Sequence, residues 1–300
     1  MSTDDLNISS GTLDLAVRPS VGGCLARFDW RSPTGAIYPL LRAAPPSSDT
    51  ACGPLDMACF PLFPFSNRLA NAQLHVDGRS YALPVNAPPE PHCLHGDAWQ
   101  HPWSIADSSE TSVTLAYQSN RLGEPFTYAA AQEFALQSDC LVATLTLTNT
   151  GSIAMPAGLG LHPYFERPPG TKLTARLPAV WLSDDSLIPT EKVAVPDRWN
   201  FKDGRVLDDV TVDANFTGWD GYSTITWPDR PVSLEVTASP ELRNIVIYVP
   251  PGEDYFCFEP VSHENNAMNR ASETWGETGV QTLEPGNTLT ASITFRPVAL

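Results

Sequence analysis

Residues 141–148 read Leu-Val-Ala-Thr-Leu-Thr-Leu-Thr, with an apolar side chain at every odd position and mostly threonine at the even ones. Successive side chains of an extended chain point to opposite faces, so such a stretch reads as a half-buried β-strand. The pattern returns near the C-terminus, where Leu289, Ala291, Ile293 and Phe295 alternate with Thr290, Ser292 and Thr294. Residues 73–83 predict a hairpin around Asp77-Gly78, a pair that takes the positive φ angles of a tight turn. A second hairpin is predicted where 223–227 and 232–237 flank the Pro-Asp-Arg-Pro of 228–231. Further strands are expected over 113–118, 128–136, 244–249 and 255–259.

No convincing amphipathic helix longer than a few turns interrupts these strands. Proline is abundant, 29 of 300 residues against a norm of roughly 5%, which suits strands and turns and disfavours helices. Many strands with short turns and no intervening helices predict an all-β chain folded as an antiparallel β-sandwich, not a parallel α/β sheet. With no clear linker, residues 1–300 are expected to form a single domain. The proline-rich stretches 44–47 and 84–91 then become loops at the edge of the sandwich, where binding sites tend to sit.

The formal net charge of −16 repels phosphate backbones and anionic lipid, so neither nucleic acid nor a membrane surface is an expected partner. A neutral small molecule fits better. The N-terminal Met-Ser-Thr-Asp-Asp-Leu-Asn lacks the regions of a signal peptide. No apolar run approaches the roughly 20 residues needed to span a bilayer. Six cysteines lie far apart without a Cys-x-x-Cys pair, which reads as reduced, mostly buried thiols in a cytoplasmic protein.

Four segments set polar side chains in apolar surroundings. Arg68 follows the run Phe-Pro-Leu-Phe-Pro-Phe-Ser-Asn of 60–67, as either a snorkelling surface residue or a placed hydrogen-bond donor. His92 and His95 lie just past the second proline-rich loop, in Pro-His-Cys-Leu-His-Gly-Asp. His162 sits in Gly-Leu-Gly-Leu-His-Pro-Tyr-Phe, as a satisfied core histidine or a catalyst. Glu259 stands between Phe258 and Pro260. An unpaired buried carboxylate costs several kcal/mol, so this one is either on an exposed edge or in a site where burial raises its pKa towards that of a useful base.

Metal ligation is the rival reading for His92, His95, His101, His162 and Glu259, but their spacing matches no His-Glu-x-x-His helix, His-x-His pair or Cys/His zinc pattern. No metal and no other cofactor are expected. A Gly-x-Ser-x-Gly elbow, a His-paired cysteine motif and a glycine-rich phosphate loop are also lacking.

Taken together and in order, these segments resemble the aldose 1-epimerase (galactose mutarotase-like) family, from about residue 11 to 298. The resemblance rests on Asn67-Arg68, Leu94-His95-Gly96, the His-Pro-Tyr-Phe of 162–165, the Asp-Ala-Asn-Phe of 213–216, Glu259-Pro260 and the Leu-Glu-Pro-Gly of 283–286. It implies a large galactose mutarotase-like sandwich that interconverts the α and β anomers of a free aldose. Glu259 would take the proton of the anomeric hydroxyl and His162 would protonate the ring oxygen. Arg68, His95, Asp213 and Asn67 would hold the sugar.

Some residues depart from the family pattern or compete within it. His92 stands where many relatives carry asparagine, which would alter a contact to a sugar hydroxyl. Asp220 competes with Asp213, and Trp219 and the phenylalanines near Arg68 either face a sugar ring or pack the core. Residues 262–266 read as a cleft rim or an ordinary solvated loop. A hexose 6-phosphate mutarotase and a non-catalytic sugar-binding module remain as alternatives on the same sandwich. The preferred aldose is open, and monomer and homodimer are equally compatible with the chain.

Overall fold

The computed structural model describes residues 5–46 and 52–300. Residues 1–4 of the N-terminal segment and Ser47 at the end of the first proline-rich loop lie outside the described residues. The Leu141–Asn149 strand buries every odd-numbered side chain. It lies antiparallel between Tyr128–Leu136 and Thr288–Ala299. These three strands centre a nine-stranded sheet, which also takes in Ser112–Ser119 and the hairpin of Tyr222–Thr226 with Val232–Ala238. The hairpin at Asp77-Gly78 forms with both φ angles positive, 49° and 73°.

An eleven-stranded antiparallel sheet faces the first. Its centre runs Cys59–Leu62, Gly160–Glu166, Tyr255–Val261, Asn244–Val249, Val212–Thr217. One buried cluster draws side chains from both sheets, among them Leu145, Leu147 and Ile293 from the first and Phe165, Phe256 and Phe258 from the second. The sandwich is thus the expected all-β architecture. The α-helix among the described residues is Trp275–Thr278, and no helix there is long and apolar enough to cross a membrane. Cys24, Cys59, Cys93, Cys140 and Cys257 are buried thiols.

The large sheet is covered on its second face as well. Phe60, Leu62, Trp99, Tyr164, Val246, Cys257 and Val261 form a separate small cluster there. Loops carried by the sheet fold over this face and enclose the candidate site.

Candidate active site

Register across the central strands creates the site. Phe60 pairs with His162, and Val246 with Glu259. The pairs Gly160–Val261 and Tyr164–Cys257, carried inward, set His162 directly opposite Glu259. Between those two pairs the ladder is open, and Pro163 and Pro260 have no N–H to give it. His162 Nε2 lies 3.2 Å from Glu259 Oε1, as expected of opposite side chains on one face of a sheet. The His162 ring packs against Phe60 at 4.3 Å and Tyr164 at 4.8 Å between centroids.

Both members of this pair are buried. Burial, with the Asp213 charge nearby, pushes the Glu259 carboxyl well above its ordinary range. Burial also pulls His162 down to about 3, with Arg42 acting in the same direction. Glu259 Oε2 and His162 Nδ1 have no partner of hydrogen-bond geometry. The two groups therefore favour an uncharged arrangement and keep open valences.

The remaining polar residues come from loops held in unusual conformations. The backbone N–H of Asn67 donates to His95 Nδ1 at 2.9 Å, and the His95 N–H donates to Asn67 O at 2.8 Å. With Nδ1 accepting, the neutral His95 ring carries its proton on Nε2. Burial lowers the His95 pKa well below the ordinary value, with His162 and Arg68 adding to the effect. Asn67, His95 and Leu187 all hold positive φ, at 58°, 59° and 62°, and all three line the cavity. Such backbone costs of order 1 kcal/mol or more per residue and clusters at working sites. Gly96, next to His95, has φ +69°, and a Cβ there would fall 1.9 Å from Phe63 O. Only glycine lets this loop press so closely on the sheet.

Arg68 donates through Nε and Nη2 to Glu90, at 2.7 Å for the shortest contact, and through Nη1 to Asn67 Oδ1 at 2.9 Å. Asp213 Oδ2 is 4.0 Å away. Asp213 and Asn215 share a face of their strand, and the Asn215 side chain accepts from the backbone of Asn265 at 3.2 Å. Asn265 in turn accepts from the Arg68 N–H at 3.1 Å. Residues 262–265 are buried and cross-linked, not a solvated loop. His263 Nε2 accepts from Ser66 N–H at 3.1 Å, and Asn266 Oδ1 from Ala70 N–H at 3.1 Å. Gly158 allows this strap to pass, since a Cβ there would meet the His263 ring at 1.9 Å.

Glu259, His162, Arg68, His95, Asp213 and Asn67 all line one cavity of about 420 Å³. Glu90, Tyr164, Tyr248 and Tyr255 line it too. Tyr164 falls within the His-Pro-Tyr-Phe motif and Glu90 within the 84–91 loop, but neither is among the site residues expected from the sequence. Other candidates lie elsewhere. His92 is buried, with Nδ1 accepting from Asn71 N–H at 2.9 Å and Nε2 at 3.0 Å from Ser186 O. Both its nitrogens serve the backbone, so the expected change to a sugar contact does not arise. Asp220 lines different surface hollows. Trp219 is buried, its indole N–H 2.9 Å from Ser223 Oγ. Of the phenylalanines near Arg68, Phe63 and Phe65 belong to the core between the sheets, and Phe60 to the cluster on the site face. His162, Cys257 and Glu259 offer ligand-type atoms within 4.8 Å of one another. Burial holds the Cys257 proton on well above the ordinary thiol range, so an ion bound there would have to displace that proton.

The family model described as "Aldose 1-epimerase" matches residues 5–296. The uncharacterized protein YphB of Escherichia coli K12 is 32% identical over 297 residues, covering 96% of this chain and 97% of YphB. The crystal structure of an Escherichia coli K12 protein titled as a candidate aldose 1-epimerase superposes with a TM-score of 0.88 at 30% identity, covering 99% of both chains. A GalM/aldose epimerase homologue from C. elegans gives 0.84 at 18% identity, again over 99% of both, which shows the shared fold. Sequence, register and fold agree over nearly the whole chain, which therefore belongs to the aldose 1-epimerase family.

Proposed function

We propose that the protein is a mutarotase that opens and recloses the ring of a free, uncharged aldose. The observation that carries this reading is the cross-strand pair of His162 and Glu259, buried, 3.2 Å apart and facing a cavity of hydrogen-bonding groups. Ring opening moves one proton from the anomeric hydroxyl to the ring oxygen. A pair that holds one proton between carboxylate and imidazole does this by changing its own tautomer. From its uncharged resting form the pair first passes a proton from Glu259 to His162 across the 3.2 Å contact. Carboxylate with imidazolium then becomes carboxylic acid with neutral imidazole as the ring opens, and the reverse as it closes. Glu259 takes the hydroxyl proton and His162 gives one to the ring oxygen. Burial raises the basicity of one partner and the acidity of the other, so neither step leaves a stranded charge.

Rotation about C1–C2 in the open aldehyde exchanges the carbonyl faces before closure. Arg68, His95 Nε2–H, Asp213 and Asn67 hold the hydroxyls, and Tyr248 and Tyr255 wall the cavity. Proton transfer of this kind needs neither metal nor redox cofactor. The acid–base pair favours an enzyme over a passive sugar-binding module. Arg68 is the sole arginine or lysine lining the cavity among the described residues, which favours a free sugar over a hexose 6-phosphate. Buried thiols accord with a cytoplasmic protein acting as one unit over 1–300.

Two-dimensional exchange NMR at the anomeric protons of several aldoses tests the proposal. Wild type speeds exchange, while Glu259→Gln and His162→Asn each lose about 10²–10⁴-fold. Folded wild type that accelerates no aldose overturns it.

A further inference from the structure

The fork of Arg68 is already filled. Its Nε lies 3.1 and 3.2 Å from the two carboxylate oxygens of Glu90, its Nη2 2.7 Å from Oε1, and its Nη1 2.9 Å from Asn67 Oδ1. Glu90 comes from the proline-rich 84–91 loop, with its side chain 26% exposed at the cavity. Neighbouring cations are equally engaged. Arg42 lies over the rings of Tyr164 and Tyr255, at 4.1 and 4.7 Å, and donates to the carbonyls of Leu55 and Met57. Lys192 and Arg270 both bind Glu264 at 2.6 Å. An open guanidinium edge is a natural receptor for carboxylate or phosphate. Here an internal carboxylate sits in that place, with Asp213 and Glu259 lining the same cavity.

We propose that Glu90, by occupying the Arg68 fork and adding its own charge, makes the site reject sugar carboxylates and sugar phosphates while admitting uncharged and ammonium-bearing aldoses. An anionic sugar must displace Glu90 and leave its charge without the guanidinium, beside Asp213. A neutral hydroxyl has no such conflict, because it can donate to a carboxylate and accept from a guanidinium N–H. Glu90 is a specificity residue here, and its effect on Arg68 is one of positioning. The inference rests on the mutarotase reading for its kinetic readout, but not for a binding readout.

The test compares galactose, galacturonate, glucose 6-phosphate and glucosamine on wild type, Glu90→Gln and Glu90→Asp. Anomeric exchange gives kcat and KM, and ligand-observed saturation-transfer NMR gives binding of the same sugars. In Glu90→Gln the preference for galactose over the two anions falls about tenfold, carried by KM. Glucosamine moves the opposite way, its KM rising, and Glu90→Asp keeps the wild-type order. A shift of all four sugars in one direction marks a merely structural role and overturns the proposal. So does wild type that binds galacturonate as tightly as galactose, or that binds no sugar. If wild type binds galactose and excludes the anions yet exchanges neither, the mutarotase reading falls and the role of Glu90 stands.

Discussion

Asp97 and Glu264 are as hidden from solvent as Glu259, at 4%, 0% and 2% exposure, yet their surroundings differ completely. Asp97 accepts from three hydroxyls, Tyr117 at 2.7 Å and Ser119 and Tyr128 at 2.5 Å. Glu264 binds Lys192 and Arg270, and both cations also lie over the Trp181 ring. Glu259 has one histidine beside it and an oxygen with no partner. A buried carboxylate with every valence met knits a fold together, whereas one left open is retained at a cost and is available for chemistry. Asp97 ties the His95 loop to the smaller sheet, and Glu264 ties the 262–269 strap to the larger one.

That contrast can be broken by mutation. The largest effect is expected for Glu259→Gln, which lowers anomeric exchange by roughly 10³-fold, or about 4 kcal/mol of barrier. Its urea midpoint stays at or above that of wild type, because an unsatisfied buried carboxylate has been neutralised. A midpoint that drops sharply would place Glu259 with the structural carboxylates. Glu264→Gln removes two ion pairs whose cations, at 40% and 26% exposure, keep access to water. It costs about 1.5–3 kcal/mol of stability, measured by urea unfolding. Asp97→Asn keeps one acceptor oxygen and costs about 1–3 kcal/mol. If Asp97→Asn proves the more damaging, hydroxyl donors outrank ion pairs in this interior.

Titration sharpens the same contrast. Burial holds His263 at about 4, against an ordinary 6.5. The unfolded chain binds the proton that the folded one refuses, so His263 contributes stability that is full above pH 6.5 and falls as the pH drops towards about 4. His263→Gln removes on the order of 3 kcal/mol from that acid limb. Glu259 runs the other way. Its folded pKa is raised, so the folded state holds the extra proton and stability falls as pH rises above 4.5. Glu259→Gln should flatten this decline, and stability curves against pH for the two variants would show limbs of opposite sign.

The centre of the smaller sheet was legible because nothing interrupts its period, whereas its outer strands Ser104–Ser108, Lys172–Ala175 and Arg205–Val206 are not among those expected from the sequence. Leu141–Asn149 and Tyr128–Leu136 alternate over their whole length, and their bounds are close to those the pattern predicts. The site strands are harder to read. Cys59–Leu62 and Gly160–Glu166 are buried on both faces and carry Pro61 and Pro163, so neither alternation nor strand propensity announces them, whereas Tyr255–Val261 is legible up to the proline at 260. The motifs drew attention to His162 and Glu259, but only register brings two residues so distant in sequence to 3.2 Å. The polar 262–266 segment reads equally as cleft rim or solvated loop. Residues 262–265 are buried because those side chains replace missing backbone partners, a long-range arrangement that leaves no local trace. Glu90 escaped notice for the same reason.

His162 and Glu259 sit on adjacent central strands, whereas Glu90 and Leu187 reach the cavity from outside that sheet. The geometry of the proposed acid–base pair is thus set by hydrogen-bonded backbone on both sides of it, and the proposed choice of ligand by segments outside those strands. For protein engineering, this separates two searches usually entangled. Libraries confined to 84–91 and the turn around 187 can explore new sugars while the proton-handling pair keeps its spacing.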